Sequence, residues 1–126
     1  MAYSTSTLPG RAIEGIIADL PALIAVAVVE TYTGRSLASH STTEHFNPDA
    51  AAAYNTQVVK QNLKAMRTLH LSSGTLDDIL ITVADQYHLI KLLNGGELFL
   101  YLAVNAQDTN LAIAREVVRQ HAVSIG

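Results

Sequence analysis

The sequence predicts an α+β fold in the order α-β-β-α-β-β-β-α, with one antiparallel sheet covered by helices on both faces. The first observation is the stretch Asp77–Val104. It reads as three short strands, Asp77–Ala84, Tyr87–Leu93 and Glu97–Val104, split by turn signals at Asp85-Gln86 and Asn94-Gly95-Gly96. Asn-Gly is a strong hairpin signal because a type I′ turn needs positive φ at both central residues. The second observation is the pattern of faces. With an even number of residues in each loop, Ile79, Ile81, Val83, His88, Ile90, Leu92, Phe99 and Tyr101 share one face. Leu80, Thr82, Ala84, Tyr87, Leu89, Lys91, Leu93, Leu98, Leu100, Leu102 and Val104 share the other. Neither face is polar enough for water, so both need cover. The third observation is three segments with helical apolar spacing that can supply it, helices one and three on one face and helix two on the other.

Met1–Thr7 is small and polar and is expected to fray. Thr7 or Ser6 is placed to cap helix one, Leu8–Leu20, with Pro9 in its opening turn and Pro21 ending it. Ile13, Ile16, Ile17 and Leu20 form its apolar stripe. Leu23–Glu30 is nearly all apolar, which suits a central strand buried on both faces, although its alanines also fit a buried helix. Thr31–Gly34 reads as a turn with Gly34 at positive φ, and Arg35–His40 as a more polar edge strand.

Asn47-Pro48-Asp49 starts helix two: a capping side chain, a proline at the first position, and an acid beside the positive end of the dipole. The helix runs Pro48–Leu69, with Ala51, Ala52, Tyr54, Val58, Val59, Leu63, Met66 and Leu69 on its apolar side. Lys60, Lys64 and Arg67 recur on another side, and Ser72-Ser73-Gly74 closes the helix. After the meander, Asp108 or Thr109 is expected to cap helix three, Leu111–Ala122, whose apolar positions are Leu111, Ala114, Val117, Val118 and Ala122.

At 126 residues, with no internal repeat or linker, the chain reads as one domain over residues 1–126. The absence of cysteine excludes disulfides and thiol chemistry. A net charge of −3 argues against a nucleic-acid partner. No apolar run approaches the roughly 18 residues of a membrane span, and no leader pattern is seen, so the expected location is the cytoplasm. Hydrophobic residues make up 49% and charged residues only 15%, against about 25% charged in an ordinary domain. That shortage points either to a core large for the length or to apolar surface covered by another chain, and the second is favoured as a contributing cause.

No constellation supports catalysis. His40, His45, His70, His88 and His121 include no pair at metal-ligand helical spacing, and His40, Glu44 and His45 read as loop residues. His88 reads as a core or interface histidine. No serine sits in a G-x-S-x-G elbow. Asp77 and Asp78 are adjacent on a strand and point to opposite faces, so they make no fixed acid–base dyad. Asn94-Gly95-Gly96 lacks the lysine and the following helix of a phosphate loop. The expectation is no metal and no cofactor.

Four stretches carry a resemblance over about Leu8–Ala122: Ile17–Leu23, the hairpin Ala27–Ala38 with its glycine turn, Asp78–Val83 with Tyr87–Leu93, and Asn110–Arg115. Together the chain resembles the roadblock / dynein light chain 7 family, in a bacterial form. The resemblance implies a profilin-like fold with five strands in the order 2-1-5-4-3. It implies a dimer through strand three and helix two, no catalytic activity, and a scaffold or regulatory role with small GTPases or larger motility and signalling assemblies. The expected interface is Asp78, Ile79, Leu80, Ile81, Thr82 and Val83 with Val58, Val59 and Met66. The expected partner is a second copy, a small GTPase or a related roadblock protein, with Lys60, Lys64 and Arg67 as a docking stripe for an acidic partner. The physical motive is that Ile79–Val83, without charge or proline, would template aggregation if left as an open edge. The alternative reading is a small-molecule sensor of profilin/PAS-like architecture, which needs a cavity lined by converging polar groups.

Overall fold

Antiparallel pairing places the strands in the order β2-β1-β5-β4-β3, in a computed structural model that describes residues 3–71 and 76–125. The elements are α1 (Leu8–Asp19), β1 (Leu23–Glu30), β2 (Ser36–Ser41), α2 (Pro48–Thr68), β3 (Asp78–Val83), β4 (Gln86–Leu93), β5 (Leu98–Asn105) and α3 (Leu111–Ala122). Leu23–Glu30 is a strand, not a helix. Its alanines and valines face both layers, and Ala25 to Val29 are wholly buried.

Both meander loops hold an even number of residues, as the pairs Val83↔Gln86 and Leu93↔Leu98 require. The side chains therefore divide as the pleat dictates. Leu89, Leu93, Leu100, Leu102 and Val104 form one core with Ile13 and Ile16 of α1 and Ala114, Val117 and Val118 of α3. Ile90, Phe99, Tyr101 and Ala103 form the other with Ala52 and Val59 of α2. Each large side chain buried this way contributes about 1.5–3 kcal/mol.

The ends of the elements follow the expected chemistry at α1 and α2 and depart from it at α3 and the β3–β4 turn. Thr7 caps α1 by accepting from the Gly10 amide at 3.1 Å, and Asn47 caps α2 by accepting from the Asp49 and Ala50 amides. For α3 the cap is Asn110, accepting from the Ile113 amide at 3.2 Å, rather than Asp108 or Thr109. The β3–β4 turn is Ala84-Asp85, one residue earlier than expected, and Ala84 takes φ 53° there. Gly34 is at φ 77°, and Asn94, Gly95 and Gly96 are all at positive φ, as their turns require. Of the stretch expected to fray, Met1 and Ala2 lie outside the described residues. Tyr3–Thr7 folds back, the Ser4 carbonyl accepting from Thr7, and Tyr3 meets the His40 ring edge-on at 6.0 Å. Ser72-Ser73-Gly74 also lies outside the described residues.

Candidate interaction surface

The sheet has two edges, and they differ. On β2 the register slips: Val28 pairs with Ala38 but Val29 with Ser36, so Leu37 is left unpaired. Such a bulge twists an edge and spoils it as a template. On β3 the ladder is unbroken from Asp78↔Lys91 to Val83↔Gln86. Ile79–Val83 carries no charge and no proline, and every residue of β3 is half-buried or exposed. The outer main-chain groups of β3 form a regular row open to another strand.

Helix α2 does not lie over that edge. It packs on β1 and β2, at the opposite half of the sheet. Ala52, Asn55, Thr56 and Val59 point to the sheet. Asn55 and Thr56 satisfy themselves on the Ala51 and Ala52 carbonyls at 2.8 and 2.7 Å. The face of β3 and β4 beside the helix is therefore only partly covered, and Ile79, Ile81 and Leu92 remain half-buried together with Val58 and Leu63 of α2. Tyr54, expected on the inner side of α2, is 76% exposed, and Leu69 is 65% exposed. A shallow groove of about 450 Å³ runs along this outer ridge between Tyr54, Val58, Gln61 and Asn62.

The expected interface residues mostly fall on this surface. Thr82 and Val83 are exposed, and Ile79, Leu80, Ile81, Val58 and Met66 are half-buried. Leu80 faces the α1–α3 layer, and Ile79 and Ile81 face α2. Val59 is corrected: it is completely buried against the sheet, so no second chain can reach it. One helical step separates it from the outward Val58, and periodicity alone gave no way to divide them. Asp78 is held by Arg115 of α3 at 3.1 Å. Tyr54 and Leu63 of α2 join this surface although the expected interface did not include them, because an amphipathic pattern does not say where a helix leans. Leu92 of β4 joins it too, and His88 is the half-buried histidine that the sequence placed in the core or at an interface.

His88 sits on the α2 side of β4, one strand in from the edge. Its Nδ1 lies 2.9 Å from the Tyr101 hydroxyl and its Nε2 2.8 Å from Gln86 Oε1. The carbonyl oxygen of Gln86 can only accept, so Nε2 carries the proton and Nδ1 accepts from Tyr101. Burial lowers the pKa of His88 from its ordinary 6.5 and raises that of the fully buried Tyr101. Phe46 packs on the same ring at 6.4 Å.

The basic stripe divides. Lys60 donates to the Tyr32 carbonyl at 3.0 Å and stands 6.0 Å from the Tyr32 ring, clamping the β1–β2 turn. Lys64 and Arg67 are exposed. Asp77 pairs with Lys91 and Asp78 with Arg115, so each carboxylate has its own basic partner. Among the described residues, no three His, Cys, Asp or Glu side chains come together as metal ligands, and no helix is long and apolar enough to cross a membrane.

No family model matches the sequence, and no curated protein is similar to it at a significant level. Solved structures are similar in fold. MglB of Myxococcus xanthus superposes with a TM-score of 0.83 at 14% identity, over 99% of this chain and 90% of that one. A roadblock/LC7 domain from Streptomyces avermitilis gives 0.76 at 11% identity, over 89% of each chain. Profilin II of Acanthamoeba castellanii gives 0.53 at 15% identity, over 87% of this chain and 92% of that one. The fold is thus that of bacterial roadblock/LC7 domains, in its profilin-like arrangement, as the sequence resemblance implied.

Proposed function

We propose that this chain is a non-catalytic scaffold or regulatory module of the cytoplasm. It works as a dimer and docks a small GTPase or a larger signalling or motility assembly. The observation that carries the reading is the regular, open edge of β3, uncharged over Ile79–Val83, lying beside a half-buried apolar face that α2 leaves uncovered. Two copies related by a two-fold axis would pair β3 with β3, satisfy the open main-chain groups and join two sheets into one. Val58, Met66 and the exposed Tyr54 of α2 are then available for the second copy to cover. The shared fold with MglB and the roadblock/LC7 domain supports this reading, as does the family resemblance, whose members serve small GTPases. Of the basic stripe on α2, Lys64 and Arg67 are exposed and would meet an acidic partner surface.

Sedimentation at micromolar concentration tests the dimer. The expected result is a dimer that Thr82→Asp and Ile81→Lys convert to monomer. Thr82 is exposed, so its substitution charges the edge without disturbing the core, and an unchanged circular dichroism spectrum confirms that the monomer is folded. A wild-type chain that is strictly monomeric overturns the reading. For docking, affinity purification from the native cell identifies the partner. Reversing Lys64 and Arg67 to Glu then weakens its capture about tenfold or more, each charged contact contributing about 1 kcal/mol. Unchanged capture removes these two residues from the docking surface.

A further inference from the structure

We propose that His88 is a proton switch on self-association, such that protonating its ring loosens the seam along β3. The inference rests on the dimer reading above and names its regulation. His88 is paired across the sheet with Ile81 of the free edge strand and with Ala103 of β5. Its ring lies on the same side of the sheet as Ile81. A second chain laid over Ile79, Ile81 and Leu92 would take from the ring the water it still touches.

The hydrogen bonds fit one state of the ring. Neutral His88 donates from Nε2 to Gln86 and accepts at Nδ1 from Tyr101. The cation makes Nδ1 a donor as well. Tyr101 must then accept, and its own proton loses that acceptor in a buried position, in the apolar layer of Ile90, Phe99 and Ala103. Leaving a buried donor unpaired costs more than the bond itself contributes.

Among the described residues no carboxylate bonds to the ring, and Asp85 of the β3–β4 turn is exposed. β5 carries no charged residue. Asp78 of β3 and Lys91 of β4 lie on the other face, tied to Arg115 and Asp77. On α2, Asp49 is exposed in the first turn, Lys60 is held at Tyr32, and Lys64 and Arg67 are exposed. Glu44 and His45, in the loop that leads to Phe46, are exposed. Burial alone already lowers the ring's pKa.

Covering the ring with a second chain lowers that pKa further in the dimer than in the monomer. The group with the depressed value in the assembled state is the acid form of a base, so the sign is fixed. Association is strong above the monomer's His88 pKa and is lost as pH falls through it, in the range below the ordinary 6.5. Each dimer takes up two protons on dissociating, so the dependence is steep.

Sedimentation equilibrium of the full chain from about pH 7.5 down to about pH 5 reads the switch, with the dissociation constant rising at least about tenfold. His88→Asn places an amide oxygen near the position of Nδ1, keeps an acceptor for Tyr101 and cannot titrate. Its dimer should hold across the same range. The other four histidines remain in this variant, so a surviving pH dependence would assign the effect to them and overturn the proposal. A wild-type dimer that is indifferent to pH overturns the switch and leaves the dimer reading standing, whereas a monomer at every pH overturns both. Should His88→Asn fail to fold, imidazole resonances of the wild type settle the matter. The His88 pKa must be lower in concentrated, dimeric samples than in dilute ones, and equal values refute the coupling.

Discussion

Gly15 and His121 meet where α1 crosses α3. A Cβ built on Gly15 would stand 2.3 Å from the His121 ring, whose Nε2 is 2.8 Å from Asp19. The glycine is there for close approach, because its backbone is ordinary helix. Gly15→Ala gains helix propensity of about 1 kcal/mol but forces the ring off Asp19 and out of its packing, at about 1–3 kcal/mol. We expect urea unfolding to show Gly15→Ala destabilising in the wild type but stabilising, by about 1 kcal/mol, when introduced into His121→Ala. The same sign in both backgrounds would refute the contact. At Ala84 the energetic balance is the opposite. An alanine at φ 53° has the left-handed penalty that glycine lacks. Ala84→Gly should raise stability by about 0.5–1 kcal/mol, read as a shift in the urea midpoint at constant slope. The sequence points the turn at Asp85-Gln86, since no glycine marks Ala84; strand pairing, a long-range demand, overrode local turn chemistry.

Among the elements, α2 shows how far the sequence reaches. Asn47-Pro48-Asp49 marks its start unambiguously, because cap, fixed φ and dipole all agree there. Asn47→Ala removes the acceptor for two amides and should cost about 1 kcal/mol in unfolding free energy. No measurable loss would mean that water or a neighbouring side chain takes over those amides. What the sequence leaves open is which way the helix leans. Val58 and Val59, or Ala52 and Tyr54, are equally apolar letters. The choice between them follows from how α2 seats on β1 and β2, which depends on residues far away in the chain. The faces of the meander are legible for the opposite reason. A strand has period two, so loop parity alone decides which side chains join Tyr101 and which join Leu100. The interface candidates on β3 rest instead on an uncharged run at the edge that the family resemblance implies, and the same parity then assigns Leu80 to one face and Ile79 and Ile81 to the other.

At the scale of the molecule, the two sheet edges divide the work. β2 is blunted by the bulge at Leu37, and β3 is left regular beside an apolar face. The chain's low charge, 15% over 126 residues, agrees with the proposal that part of its surface is covered by a second copy. This has a thermodynamic signature separate from hydrodynamic size. If the folded chain associates and the unfolded chain does not, mass action stabilises the fold as concentration rises. Raising the protein concentration about tenfold adds about 1.4 kcal/mol per dimer once association is tight, or about 0.7 kcal/mol per chain. For a domain of this size that is a rise in Tm of about 2–5 °C. Thr82→Asp, being exposed on the edge, leaves each chain's core intact and should give a Tm independent of concentration. A wild-type Tm flat over two decades of concentration would show that nothing adds to this fold when a second copy is present. The open edge of β3 would then have to be held by another protein.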